Sequence, residues 1–199
     1  MSVLVTSEAP DFTASAVLAN GEIVDNFTLS DYKGKKIVLF FYPLDFTFVC
    51  PSEIIAHHKR IAKFSERGVE VVGVSIDSQF THNAWRNTAV NDGGLGAIDF
   101  PLVADVNHAI GKAYGIMHPA GIALRASFLI DENFVVRHQV VNDLPLGRDV
   151  DEMLRTIDAL DFHTTNGEVC PAGWQKGDAG MKETSDGVAE YLSKNADKL

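Results

Sequence analysis

Cys50 lies in the stretch Pro43-Leu44-Asp45-Phe46-Thr47-Phe48-Val49-Cys50-Pro51-Ser52-Glu53. An apolar β-like run, Ile37 to Tyr42, precedes it, and an amphipathic helical pattern starts near Ser52. A thiol is therefore carried on the loop between a buried strand and the first turn of a helix. Pro51 suits that first turn, where a missing N–H costs nothing. The free N–H groups and positive dipole end of the helix come close to the sulfur. That environment favours the thiolate, the nucleophilic form of cysteine. Thr47 offers a hydroxyl to whatever the sulfur attacks, and Pro43 and Pro51 limit the freedom of the loop. A buried structural thiol is the competing reading of Cys50. Its place at a helix start argues for reactivity.

Cys170 is the second of two cysteines. No Cys-x-x-Cys pair exists, which excludes a thioredoxin-type dithiol and a four-cysteine zinc site. A permanent disulfide would be unusual in a reducing cytoplasm, whereas a transient one would not. The 7 histidines give no metal spacing. His57 and His58 are adjacent on a helix and point about 100° apart. His82, His108, His118, His138 and His163 are scattered, so no metal is expected.

Pro43-x-x-x-Thr47-x-x-Cys50, with Phe48-Val49-Cys50-Pro51, resembles the active-site loop of the peroxiredoxins. Val169-Cys170-Pro171-Ala172-Gly173-Trp174 resembles the resolving-cysteine segment of their typical two-cysteine subfamily. The closest likeness is to bacterial alkyl hydroperoxide reductase peroxidase subunits with an extended C-terminal arm. It runs from Ala9-Pro10-Asp11-Phe12 to Tyr191, nearly the whole chain. The resemblance implies a thiol-specific peroxidase acting on hydrogen peroxide and alkyl hydroperoxides without metal, heme or flavin. Cys50 would be peroxidatic and Cys170 resolving, on the partner subunit. Pro43, Thr47 and Arg125 would complete the catalytic set, with Glu53 and Arg148 holding the arginine. Read locally, Arg125 and Arg148 look like surface charges. The resemblance further implies a homodimer assembling to a decamer, and recycling by thioredoxin or a flavoprotein disulfide reductase. A holdase side activity belongs to the same family picture.

Gly93-Gly94-Leu95-Gly96 matches a motif that, with a C-terminal Tyr-Phe helix, slows disulfide formation in overoxidation-sensitive members. Here the second motif is Tyr191-Leu192. Leu keeps apolar packing but loses aromatic area, so intermediate sensitivity is expected.

The elements that must position these residues follow in order. Residues 9–30 read as an extended entry with a hairpin turn at Asn20-Gly21, and 31–36 as a charged turn before the central strand. A helix is expected over 52–66, with Ile54, His58, Ile61 and Ser65 along its stripe and Gly68 at its end. Val69 to Ile76 reads as a buried strand, 80–91 as a helix with Trp85, and 91–96 as a flexible loop. A short strand spans Pro101 to Asp105, and a short helix runs through Tyr114. Arg125–Asp131 and Phe134–Val140 form a hairpin. Asp149-x-x-Glu152 resembles a capping box, opening a helix with Val150, Met153, Leu154, Ile157 and Leu160 on one face. This order fits an α/β sandwich. By resemblance it is a thioredoxin-like fold with an N-terminal extension. Composition turns polar and Gly-rich after Asp161, so 1–165 reads as the peroxidase domain and 166–199 as an arm carrying Cys170, with a weak helix at 184–195.

The chain has 199 residues, 46% of them hydrophobic, enough for one domain with a substantial core. Net charge is −10, from 27 acidic and 17 basic residues, without a basic block. Nucleic acid and anionic membranes are poor candidate partners. The N-terminal stretch lacks the features of a signal peptide, the longest apolar run is far below a membrane span, and Asp197-Lys198-Leu199 is not a peroxisomal address. A cytoplasmic location is expected. Two other classes compete with a peroxidase: a holdase whose oligomer shields unfolded clients, and a cysteine hydrolase. The latter needs a histidine base, and no local motif supplies one.

Overall fold

The computed structural model describes residues 3–198. Met1, Ser2 and Leu199 lie outside the described residues, and with them part of the readings made on the N-terminal stretch and on Asp197-Lys198-Leu199. The chain divides into two compact units, residues 1–150 and 151–199.

The first unit is built on seven strands: β1 (Thr13–Val17), β2 (Ile23–Thr28), β3 (Lys36–Phe41), β4 (Val69–Ser75), β5 (Leu102–Ala104), β6 (Arg125–Ile130) and β7 (Val136–Asn142). They form a mixed sheet in the order β2-β1-β5-β4-β3-β6-β7. β3 pairs parallel with β4 and antiparallel with β6. Every residue of β3 is buried, as expected of a strand covered on both faces. Ile37, Leu39 and Phe41 join Tyr114, Phe128 and Ile130 in one cluster. Phe40, on the opposite side of the pleat, stacks on the His57 ring at 4.2 Å and meets Phe100 edge-on at 5.7 Å. Its partner across the register is Gly73, where a Cβ would lie 2.9 Å from Leu102 and 3.0 Å from Phe40. Glycine is needed there for the backbone to approach. The expected hairpin between β1 and β2 is present, with Gly21 at φ +87° in its turn.

Helices α1 (Cys50–His58), α2 (Ile61–Ser65), α3 (Gln79–Arg86) and α4 (Ala109–Ala113) connect the strands. Three expectations need correction. The helix expected over 52–66 starts earlier, at Cys50, and breaks at Lys59–Arg60, where Arg60 adopts φ −108°, ψ 6° and its Nη1 donates to Ala56 O. Its buried face is Cys50, Glu53, Ile54 and His57. His58 and Ser65 do not belong to it, because the face is set by the side chains that meet β3. The helix expected over 80–91 ends at Arg86. Its start is fixed by Ser78 Oγ, which accepts from Thr81 N at 3.2 Å. The loop expected to be flexible over 91–96 is a closed turn. Gly93, Gly94, Leu95 and Gly96 N–H donate to Val90, Ala89, Trp85 and Thr88 carbonyls respectively. Leu95 is buried, and Gly94 lies so close to the Thr88 carbonyl that no Cβ fits.

The second unit holds all of α5 (Val150–Asn166) but its first residue, and α6 (Ser185–Asn195). Val150, Met153, Leu154 and Ile157 of the expected stripe are buried. Thr164-Thr165-Asn166, read as the start of the polar change, still lie within α5. Between the helices, Val169 pairs with Met181, and the buried Trp174 ring lies 4.9 Å from Phe162. α6 is capped by Thr184 Oγ1, which accepts from Gly187 N at 3.0 Å. No described helix is long and apolar enough to cross a membrane.

Candidate active site

β3 delivers the chain to the site, and the buried Pro43 lies two residues beyond its end. Cys50 is the first residue of α1 and has no exposed surface. It therefore sits inside the first helical turn rather than on the loop before it. Its N–H has no acceptor among the described residues, as the geometry of a helix start dictates. Thr47 Oγ1 lies 3.0 Å from the sulfur and 2.8 Å from Leu44 O, so its single proton serves one or the other. From β6, the neighbour of β3 in the sheet, Arg125 brings Nη1 to 3.4 Å from the sulfur. Cys50, Thr47 and Arg125 thus converge.

Glu53 holds the arginine, and Arg148 fixes Glu53. Arg125 Nη1 donates to Glu53 Oε2 at 2.7 Å, and its Nε donates to Leu144 O at 2.6 Å. Arg148 donates to the same carboxylate through its backbone N (2.9 Å), Nε (2.8 Å) and Nη2 (3.0 Å). Its Nη1 is fixed on Ala126 O and Ser127 Oγ, and its guanidinium lies over the Phe40 ring at 5.5 Å. Burial alone would raise the Glu53 pKa. The hydrogen bonds and charge of Arg148, followed by the charge of Arg125, outweigh it, so the carboxyl is held below its ordinary range.

Several residues around the site escaped the sequence reading. His57 Nδ1 donates to Glu53 O at 2.7 Å, and the ring is sandwiched between Phe40 and Phe64. Burial first, then the charge of Arg148, pushes its pKa down to about 4, so it is neutral. Asp45, inside the active loop, forms a 2.7 Å contact through Oδ2 with His82 Nδ1 of α3. Neither side chain has exposed surface. His82 Nε2 donates to Val103 O at 3.2 Å, and Tyr42 Oη donates to Asp45 Oδ1 at 2.8 Å. The backbone N of Asp45 donates to Asp77 Oδ2 at 2.8 Å. Asp45 occupies an unspecified position of the motif and its partner lies in another helix, so no local signal joins them. Phe46, next to it, adopts φ +52°, and its ring lies 5.7 Å from Trp85. Trp85 is buried, with Nε1 donating to Gly93 O at 2.9 Å.

Cys170 belongs to the second unit, and both thiols are free. Its Sγ donates to Ala159 O at 3.4 Å. Burial pushes the Cys170 pKa up, opposed by the charge of Arg155.

A thiol at a helix start, with a hydroxyl and a buried guanidinium beside it, thus sits on a mixed sheet of thioredoxin-like α/β fold. The chain belongs to the AhpC/TSA family, whose model matches residues 5–139. A second model, the C-terminal domain of 1-Cys peroxiredoxin, matches residues 159–194. The chain is 59% identical to alkyl hydroperoxide reductase C of Buchnera aphidicola subsp. Acyrthosiphon pisum over 96% of its length and 98% of that protein. It is 57% identical to alkyl hydroperoxide reductase C of Helicobacter pylori strain J99, covering 99% and 100%. The reduced 2-Cys peroxiredoxin of Plasmodium vivax superposes with a TM-score of 0.94 at 48% identity, over 96% of this chain and 100% of that one. The protein is a peroxiredoxin-type peroxidase, an oxidoreductase with an antioxidant activity on peroxides.

Proposed function

We propose that Cys50 reduces hydrogen peroxide and organic hydroperoxides and that Cys170 of the partner subunit resolves the product. The observation that carries this is the convergence of Thr47 Oγ1 (3.0 Å) and Arg125 Nη1 (3.4 Å) on the Cys50 sulfur. The sulfur anion attacks the terminal peroxide oxygen, an S–O bond forms and the O–O bond breaks. The leaving oxygen takes a proton and departs as water or an alcohol, and Cys50 becomes a sulfenic acid. Arg125, the Thr47 hydroxyl and the Cys50 N–H donate to the two oxygens as charge shifts between them. The Cys170 sulfur then attacks the sulfenic sulfur, forming a disulfide and releasing water. A dithiol reductant of the thioredoxin type, or a flavoprotein disulfide reductase, restores both thiols.

The same reading includes a homodimer that assembles to a decamer, a cytoplasmic location, and a peroxidase domain at 1–165 followed by an arm at 166–199. Sensitivity to overoxidation is intermediate, because Leu192 stands beside Tyr191. A holdase activity is supported by the exposed Phe46 and Phe48 of the loop. Client protection that survives Cys50→Ser separates it from peroxidase activity.

The deciding experiment is non-reducing electrophoresis with intact mass after one equivalent of hydrogen peroxide. Wild type gives a disulfide-linked dimer, and Cys170→Ser gives a monomer oxidised on Cys50. A peroxide-inert wild type refutes the peroxidase assignment to Cys50, and a disulfide within one chain refutes the intersubunit step.

A further inference from the structure

Helix α5 presents Arg155, Ala159 and His163 at successive turns, which places them along one side of the helix. Each holds the segment that returns past it. Arg155 Nη1 donates to Trp174 O at 2.9 Å, Ala159 O accepts from Cys170 Sγ at 3.4 Å, and His163 Nδ1 donates to Glu168 O at 2.9 Å. The pairing runs antiparallel, 155 with 174, 159 with 170, 163 with 168. Lys176 Nζ adds a contact to Asp158 Oδ1 at 3.3 Å. The guanidinium of Arg155 is fixed from behind, since Nε and Nη2 each donate to the Glu152 carboxylate at 2.7 Å. A planar fork anchored on a carboxylate keeps its remaining N–H in one direction.

We propose that Arg155 is a positioning residue for the resolving step, clipping residues 168–174 to α5 and keeping Cys170 tucked against Ala159 until the segment lets go. This rests on the reading of Cys170 as the resolving thiol. A thiol that donates to a carbonyl still carries its proton, and the proton must leave before the sulfur can attack. The clipped form is therefore the waiting form. Arg155 acts in two opposed ways. Its charge counters the effect of burial on Cys170 and favours the anion, while its hydrogen bond to Trp174 O keeps the segment closed. Lysine at this position keeps the charge and loses the fork, so the two effects are separable.

The full-length reduced protein is compared as wild type, Arg155→Gln, Arg155→Lys and His163→Ala. Amide hydrogen exchange over residues 168–175 is measured without peroxide. After one equivalent of hydrogen peroxide, Cys50 oxidation and disulfide formation are timed separately. Both Arg155 variants are expected to exchange faster. Arg155→Lys forms the disulfide roughly fivefold faster, as loss of one net hydrogen bond gives, and Arg155→Gln, which also loses the charge that favours the anion, gains less. With hydrogen peroxide in excess, which supplies the second oxidation of the sulfenic acid, their Cys50 sulfinate yield falls, and their rate of Cys50 oxidation is unchanged. His163→Ala moves in the same direction by less. Unchanged exchange in both Arg155 variants overturns the clip. So does wild-type behaviour of Arg155→Lys beside slower disulfide formation in Arg155→Gln, because charge alone then acts. Cys170→Ser is the control for the underlying reading. If it still forms the crosslink, Cys170 is not the resolving thiol, and the exchange data judge the clip independently.

Discussion

Glu53 Oε2 lies 2.7 Å from Arg125 Nη1, the same nitrogen that stands 3.4 Å from the Cys50 sulfur. One buried carboxylate thus aims the guanidinium at the reacting atom. Glu53→Gln keeps the shape but removes the charge that pairs with Arg125 and Arg148. Uncompensated buried charge costs about 3–5 kcal/mol, and a misplaced oxyanion donor costs roughly a hundredfold or more in rate. The variant is expected to lose about that factor in the rate of Cys50 oxidation by hydrogen peroxide, followed by stopped-flow, and to unfold at lower urea. A wild-type rate would show that Arg125 is held without Glu53.

Acid acts on the same cluster in two pH windows. His57 is neutral in the fold, with its pKa down to about 4 from the ordinary histidine value of 6.5. The unfolded chain binds that proton first, so stability falls as pH drops from about 6.5 to about 4 and this contribution is then spent. Its size is on the order of 3 kcal/mol. Glu53 has the opposite charge type, with its folded pKa lowered. Its contribution is complete above the ordinary glutamate range and is lost as pH falls through the folded value. His57→Phe preserves the ring stack on Phe40 and removes the first window alone. Urea midpoints at pH 7, 5.5 and 4.5 are expected to decline less in the variant than in wild type, and parallel declines would exclude His57 as the source.

Tyr42 Oη donates to the buried Asp45 that also meets His82. Removing that donor in Tyr42→Phe leaves a buried carboxyl oxygen short of a partner, at a cost of about 1–3 kcal/mol. Asp45 anchors the loop between Pro43 and Thr47, so the rate of Cys50 oxidation should fall with stability. Equal urea midpoints for the variant and wild type would show that Asp45 is sustained by His82 and Asp77 without Tyr42.

What could be read from sequence divides along the distance over which each feature is encoded. Pro43, Thr47, Cys50 and Pro51 act on neighbours a few residues away, and their spacing carried both position and chemistry. The Ile37–Phe41 run of β3 was legible because burial on both faces leaves no polar position in it. Arg125 and Arg148 were legible through family resemblance alone, since their partner Glu53 lies 72 and 95 residues away in the chain. The Asp45–His82 contact spans 37 residues and offered no pattern. The α1 stripe was misplaced because an even helical repeat cannot foresee the break at Arg60. The Gly93–Gly96 stretch was misread because glycine marks both loose chain and backbone crowded into a closed turn.

That crowding gives a contrast within one dipeptide. Gly94 has no room for a Cβ beside the Thr88 carbonyl, a backbone atom that cannot rotate away, whereas Gly93 has φ +81° and open space around it. Gly93→Ala therefore pays only left-handed strain, about 1–2 kcal/mol. Gly94→Ala must displace the turn and disturb the Leu95 N–H bond to Trp85 O. Gly93 O also accepts from Trp85 Nε1, and the Trp85 ring lies 5.7 Å from Phe46 in the active loop. Displacing the turn should therefore reach the site. Gly94→Ala is expected to cost more stability than Gly93→Ala, by about 1–3 kcal/mol of overpacking, and to slow Cys50 oxidation where Gly93→Ala leaves it nearly unchanged. Urea unfolding and peroxide stopped-flow on the two variants check both halves, and the reverse ranking would mean that the turn yields to the added methyl without cost.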